Sequence, residues 1–216
     1  DKGVRAMDSR KLNCGLARFI ALFLLLFLAV GVPRNYSLAQ DDCTIRQVTD
    51  AVSGESEVAF LNFSGTLGAF SSSADIDGGN PDGGFEAYIF NTGTLVITQL
   101  TDDPILDSFI FDISGDEAIL ALSSQADLTG ENPDGNREIF LFDMNTESFT
   151  QITDSSGEDN IVPALNFDGS LIAIDSQADL TGENADANRE IFLFDSGTAT
   201  FTQLTDTTAG DSLAPD

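Results

Sequence analysis

The sequence predicts an all-β fold, a β-propeller of four-stranded antiparallel blades, incomplete, with three 52-residue repeats and partial blades at both ends. Three observations carry this. Gln47-Val48-Thr49-Asp50 recurs as Gln99-Leu100-Thr101-Asp102, Gln151-Ile152-Thr153-Asp154 and Gln203-Leu204-Thr205-Asp206, always 52 residues on. Every unit reads as short β-like segments divided by turn residues, and no stretch after residue 39 shows a capped helical period. One segment per unit, Glu190-Ile191-Phe192-Leu193-Phe194-Asp195 in the third, is apolar on both faces and so expected to be buried on both. Four antiparallel strands with one doubly buried strand make a propeller blade, and each blade needs neighbours to cover its faces. A solenoid coil is usually shorter, and a sandwich of 52 residues would be too small to close its own core.

The units are 51–102, 103–154 and 155–206, with 43–50 as a lone outer strand and 207–216 opening another unit. In the third unit Ile161–Phe167 is the first expected strand, and Asp168-Gly169 reads as a two-residue hairpin turn. Ser170–Ser176 is the second, Glu190–Asp195 the third, and Thr200–Thr205 the fourth, after a turn at Ser196-Gly197-Thr198. The second unit reads as two residues shorter before Ser114-Gly115 and two longer after it. The lone strand suggests closure with a last blade outside this chain, which makes the chain the N-terminal part of a longer protein.

The N-terminal residues are chemically different. Arg10, Lys11 and Arg18 precede an apolar run from Phe19 to Val32, followed by Ser37-Leu38-Ala39. This is the order of a secretory signal, cleaved after Ala39, with the residues before Met7 read as upstream of the start. The apolar run is shorter than the roughly 20 residues of a membrane span, so none is expected after cleavage. An exported chain, periplasmic or extracellular, with Cys43 as its one mature cysteine has no disulfide framework.

The 216 residues hold 36 Asp+Glu, 9 Lys+Arg and no His. Beyond residue 39 stand 34 acids against Arg46, Arg137 and Arg189. Such a surface repels phosphate backbones, which excludes nucleic acid as a partner. The missing His removes the commonest general base and a Ser-His-Asp triad, and there is no Gly-x-Ser-x-Gly. Catalytic residues are therefore none, and the chain is expected not to be an enzyme.

Pro163-x-x-Asn166-Phe167-Asp168-Gly169-Ser170-Leu171-Ile172-Ala173, then Arg189–Asp195 and Gln203-Leu204-Thr205, resembles the WD-repeat-like propeller repeat of TolB-type periplasmic proteins. The resemblance covers about residues 43–216 and implies an exported propeller. It departs in lacking the preceding α/β domain and in carrying a long Asp-Leu-Thr-Gly-Glu-Asn-type insertion in each unit.

That insertion is the candidate site. Asp127, Asn132, Asp134, Asn136 and Glu138 recur as Asp179, Asn184, Asp186, Asn188 and Glu190. The first unit keeps a weaker set, Asp75, Asn80, Asp82 and Glu86, with Gly84 in place of the third alternating oxygen. Oxygen side chains at alternate positions suit Ca2+, and copies two and three would then hold it more tightly than copy one. An EF-hand is excluded, because Asn132 stands where the glycine should be and no helices flank the loop. The same residues are also ordinary turn chemistry. Arg137 and Arg189 are expected in internal ion pairs, Phe140, Phe142, Phe192 and Phe194 in the core, and the Thr and Asp of each Gln-x-Thr-Asp against turn backbone. The function these readings imply is a non-catalytic scaffold that binds a protein or polysaccharide through its loops. The alternative is a gating propeller of a secreted serine peptidase whose catalytic domain lies beyond Asp216.

Overall fold

A computed structural model of the chain describes residues 45–157, 160–208 and 212. The expected signal and Cys43 lie outside the described residues, as does most of 207–216. The chain divides into two compact units, Asp1–Val48 and Thr49–Asp216. Of the first, only Ile45–Val48 are described, without regular secondary structure.

The second unit carries twelve strands in three four-stranded antiparallel sheets. The first sheet is β1 (Ser56–Leu61), β2 (Leu67–Ser72), β3 (Glu86–Asn91) and β4 (Ile97–Gln99). The second is β5 (Ser108–Ile113), β6 (Ile119–Ser124), β7 (Glu138–Asp143) and β8 (Ser148–Gln151). The third is β9 (Asn160–Leu165), β10 (Leu171–Ser176), β11 (Glu190–Asp195) and β12 (Thr200–Gln203). In each sheet the strands pair in chain order. The first strands β1, β5 and β9 touch one another in succession, and each of β5 and β9 also packs against the preceding sheet. Successive sheets stacked face to face along their first strands are propeller blades.

The expected strands of the three units are present, with two corrections. Residues 45–50, read as the outer strand of a blade outside this chain, carry no regular secondary structure here. The turn after β9 is wider than two residues: Asn166 N donates to Leu171 O at 3.1 Å, and Leu171 N donates to Asn166 Oδ1 at 3.0 Å. The asparagine side chain bridges the turn, and Gly169 at φ 66° supplies its left-handed residue. The second unit also carries no insertion or deletion. Its hairpin keeps the 52-residue offset, so Gly115 stands opposite Phe167, and Glu117 at φ 69° opposite Gly65 and Gly169.

Alternation along the middle blade decides where the core lies. Leu120, Leu122, Phe140 and Phe142 face the first blade and meet Ala69 and Ala87. The residues between them, Ala121, Ile139 and Leu141, face the third blade and meet Ile172, Ile174 and Phe194. β7 is thus buried on both faces, as expected for a strand between two neighbours, whereas β11 alternates buried and half-buried. Backbone ties cross the same seams: Ile110 N donates to Ser71 Oγ at 2.8 Å and Leu165 N to Asp112 Oδ2 at 2.7 Å.

Gly68 marks the tightest approach within the first blade. A Cβ there would fall 2.3 Å from the Phe90 ring, which is itself buried. Gly68→Ala is expected to cost about 1–3 kcal/mol by overpacking. Urea denaturation checks this, and an unchanged midpoint would show that the ring yields freely.

Candidate functional site

Strand direction sorts the connections. The short turns after β1, β3 and their repeats lie at one end, the hairpin end. The long loops after β2, β6 and β10 share the other end, the loop end, with the links between blades.

At the loop end each insertion folds on its own amides. Asn132 N donates to Asp127 Oδ1 at 2.9 Å, and Asn132 Nδ2 reaches Asn136 O at 3.0 Å and Gln125 O at 3.2 Å. Asn184 repeats this with Asp179 and Asn188, and Asn80 with Asp75 and Gly84. The Asn side chain therefore closes the loop across its base, the turn chemistry such residues supply. Asp82, Asp134 and Asp186 stand exposed at the tips.

The glutamates at the third strand's start turn inward. Glu86, Glu138 and Glu190 are fully buried. Glu138 accepts from the Thr153 hydroxyl, from Ser155 N and Oγ at 2.7 Å each, from Asn136 Nδ2 at 2.8 Å and from Asn160 Nδ2 at 2.9 Å. The threonine is that of the repeated Gln-x-Thr-Asp, and its oxygen also accepts Ile139 N at 2.8 Å. The glutamine of the motif donates to the Thr153 carbonyl at 2.8 Å. This corrects the expectation for the motif's threonine: it ties the outer end of the blade to a buried carboxylate and to the third strand, not to a turn.

The three copies differ. Glu190 accepts from Thr205, from Thr207 N and Oγ1, and from Ser212 Oγ. Glu86 accepts from the Thr101 hydroxyl and Asp103 N. Gly84, Asp103 and Ser108 stand in the first unit where Asn136, Ser155 and Asn160 stand in the second. Burial pushes Glu86 above the usual carboxylate range; its two hydrogen bonds oppose this, and the charges of Asp102 and Asp82 add to it. Burial pushes Glu190 up too, but hydrogen bonds from Thr205, Thr207 and Ser212 prevail and hold it at about 2.

These directions give opposite pH responses. Folding favours the charged form of Glu190, so its contribution is present above the ordinary value of 4.5 and lost as pH falls toward 2. Folding favours the neutral form of Glu86, so its contribution is present below 4.5 and lost as pH rises through the raised value. Stability against urea, measured from pH 2.5 to 7, should fall less on acidification in Glu190→Gln than in the parent. In Glu86→Gln it should fall more. Parallel curves for the two variants would contradict this.

For a cation the donor set fits only in part. A carboxylate offers about four lone-pair sites, and Glu138 receives five donors. Glu138 and Glu190 are thus spent on the fold, whereas Glu86 receives two donors. Among the described residues no three His, Cys, Asp or Glu side chains gather as metal ligands. The oxygens that suit a cation are the exposed aspartates and the buried Oδ1 atoms of Asn80, Asn132 and Asn184, which accept no hydrogen bond among the described residues. Of the arginines, Arg189 pairs with Asp175 at 2.9 Å, and Arg137 lies over the Phe109 ring, 4.9 Å from its centroid.

No protein-family model matches the sequence, and no curated protein matches it. Solved structures do. The tricorn protease matches 65% of this chain and 14% of its own, at 14% identity and a TM-score of 0.46. A structure from an analysis of two prolyl endopeptidases matches 72% and 22%, at 11% identity and 0.49. The Dos1 propeller matches 73% and 37%, at 14% identity and 0.40. The chain thus spans well under half the length of each of these proteins.

Proposed function

We propose that the chain is an exported, non-catalytic propeller of TolB-like repeats that serves recognition, its ends binding a protein or polysaccharide partner. One observation carries this reading. The carboxylates best placed for acid–base work, Glu86, Glu138 and Glu190, are enclosed among structural donors and hold the blades in shape. A rigid frame that spends its buried polar groups on itself and presents exposed polar loops is suited to binding. Export is supported by the basic, apolar and small-residue order of residues 10–39. Binding assays of the protein against surface polysaccharides and envelope proteins test the reading. Turnover of a peptide or glycan substrate would overturn it, and a nucleophile motif encoded beyond Asp216 would favour the gating alternative.

The loops also take calcium on this reading, through the aspartates and the Asn132-type Oδ1 atoms, without the glutamates. Calcium is expected to raise the melting temperature, less so in Asp134→Ala and Asp186→Ala than in Asp82→Ala. Calorimetry checks this, and an equal loss from all three would sink it.

A further inference from the structure

The hairpin end carries a feature that the loops do not explain. Phe63 of the first blade and Phe167 of the third meet edge to face at 5.8 Å between centroids. They reach each other over Gly115 of the middle blade, where a Cβ would fall 2.3 Å from the Phe167 ring. Phe63 is 84% exposed and Phe167 60%. An aromatic pair assembled from two blades and left in water is typical of a contact surface, where such rings serve as anchors.

Acids stand in the turns beside the pair. Asp116 N donates to Phe167 O at 3.2 Å, and Asp168 follows Phe167 in the chain. Glu117 accepts from Ser64 Oγ at 2.5 Å and Thr66 Oγ1 at 2.7 Å, both in the turn that bears Phe63 and C-terminal to it. Its backbone holds φ 69° where the other two blades have glycine, a conformation that residues with a Cβ rarely adopt. The serine and threonine bonds hold the Glu117 carboxyl below its ordinary range, and the Ser170 bonds do the same for Asp168. Both remain charged at neutral pH. The described arginines of this unit, Arg137 and Arg189, both flank the long loops at the opposite end.

We propose that the hairpin end is a docking surface for a basic segment of a partner protein, whose apolar side chains pack on the Phe63–Phe167 pair while its Lys or Arg face Asp116, Glu117 and Asp168. The occupant follows from charge complementarity: an apolar anchor whose turns carry acids, with the described arginines of this unit at the opposite end, selects apolar groups flanked by positive charge. The inference rests on the recognition reading and gives the partner a chemistry.

The probe is a fluorescein-labelled Arg-Leu-Arg-Phe-Arg-Leu peptide, titrated by anisotropy with the full chain at about 0.15 M salt. The parent is expected to bind, and Phe63→Ala with Phe167→Ala to weaken binding at least about tenfold. Glu117→Gln should weaken it less and flatten its salt dependence, while Glu131→Gln in the long loop at the other end leaves it unchanged. Unchanged melting of the double variant keeps the comparison fair, since both rings are exposed. Equal affinity of parent and double variant, or equal loss from Glu117→Gln and Glu131→Gln, would show charge attraction alone and overturn the site. So would self-association of the parent that the double variant abolishes, since a second copy would then cover the rings. Binding to chitin or cellulose that ignores both rings, with no binding to the peptide, would remove this site and leave the recognition reading standing. Cleavage of the peptide would remove the recognition reading itself.

Discussion

Glu138→Ala is expected to lose about 3–5 kcal/mol of folding stability at neutral pH, the cost of leaving several buried donors without their acceptor. The carboxylate is the hub of the middle blade at the loop end. Thr153 reaches it from the end of β8, Ser155 from the link between blades, and Asn160 from the first strand of the third blade. One side chain therefore holds three segments that lie between 15 and 22 residues away in the chain. Glu86→Ala in the first blade is expected to cost much less, about 1–2 kcal/mol, because two donors are orphaned and a carboxylate crowded by Asp82 and Asp102 is removed. Urea denaturation of both variants beside the parent settles the ranking. A loss under about 1 kcal/mol for Glu138→Ala would mean that water replaces the carboxylate at no cost.

The strands were legible because their signal is local. Alternation, turn residues and a period of 52 place β9 to β12 within a few residues of the observed bounds. The hairpin of the second unit was misread because Ser114-Gly115 looks like Asp168-Gly169 by residue type. The ladder shows that Asp116-Glu117 holds that place, with glutamate accepting the left-handed conformation that glycine has elsewhere. Spacing alone made Glu138 look like the last ligand of a cation loop. Its partners lie at 153, 155 and 160, where a pattern confined to the loop does not reach. A signal was nonetheless present. Asn136 and Ser155 are Asn188 and Thr207 in the third unit but change together to Gly84 and Asp103 in the first, which is what one shared network losing its donors looks like. The aromatic pair gave no such sign, because Phe63 and Phe167 stand 104 residues apart and meet only when the first strands of the blades converge.

The other large effect belongs to the seam between blades. Phe140→Ala is expected to cost about 3–5 kcal/mol, the usual loss for a fully buried phenylalanine. The ring packs with Leu120, Leu122 and Phe142 against Ala69 and Ala87 of the first blade. Ala69 and Ala87 are small, and the larger first-blade side chains at this cluster, Phe60, Ile89 and Leu100, are only partly buried at its edge. In a repeat protein such an interface is a large share of what keeps neighbouring units folded together. Set against the 5–15 kcal/mol typical of a whole domain, the loss would leave the first blade the first to open. Hydrogen exchange would then show protection falling first in β1 to β4, while the seam of Ile139 and Leu141 with Ile172 and Ile174 stays closed. Uniform loss of protection across all three blades would mean that they open as one cooperative body, and that stability is not divided along the seams.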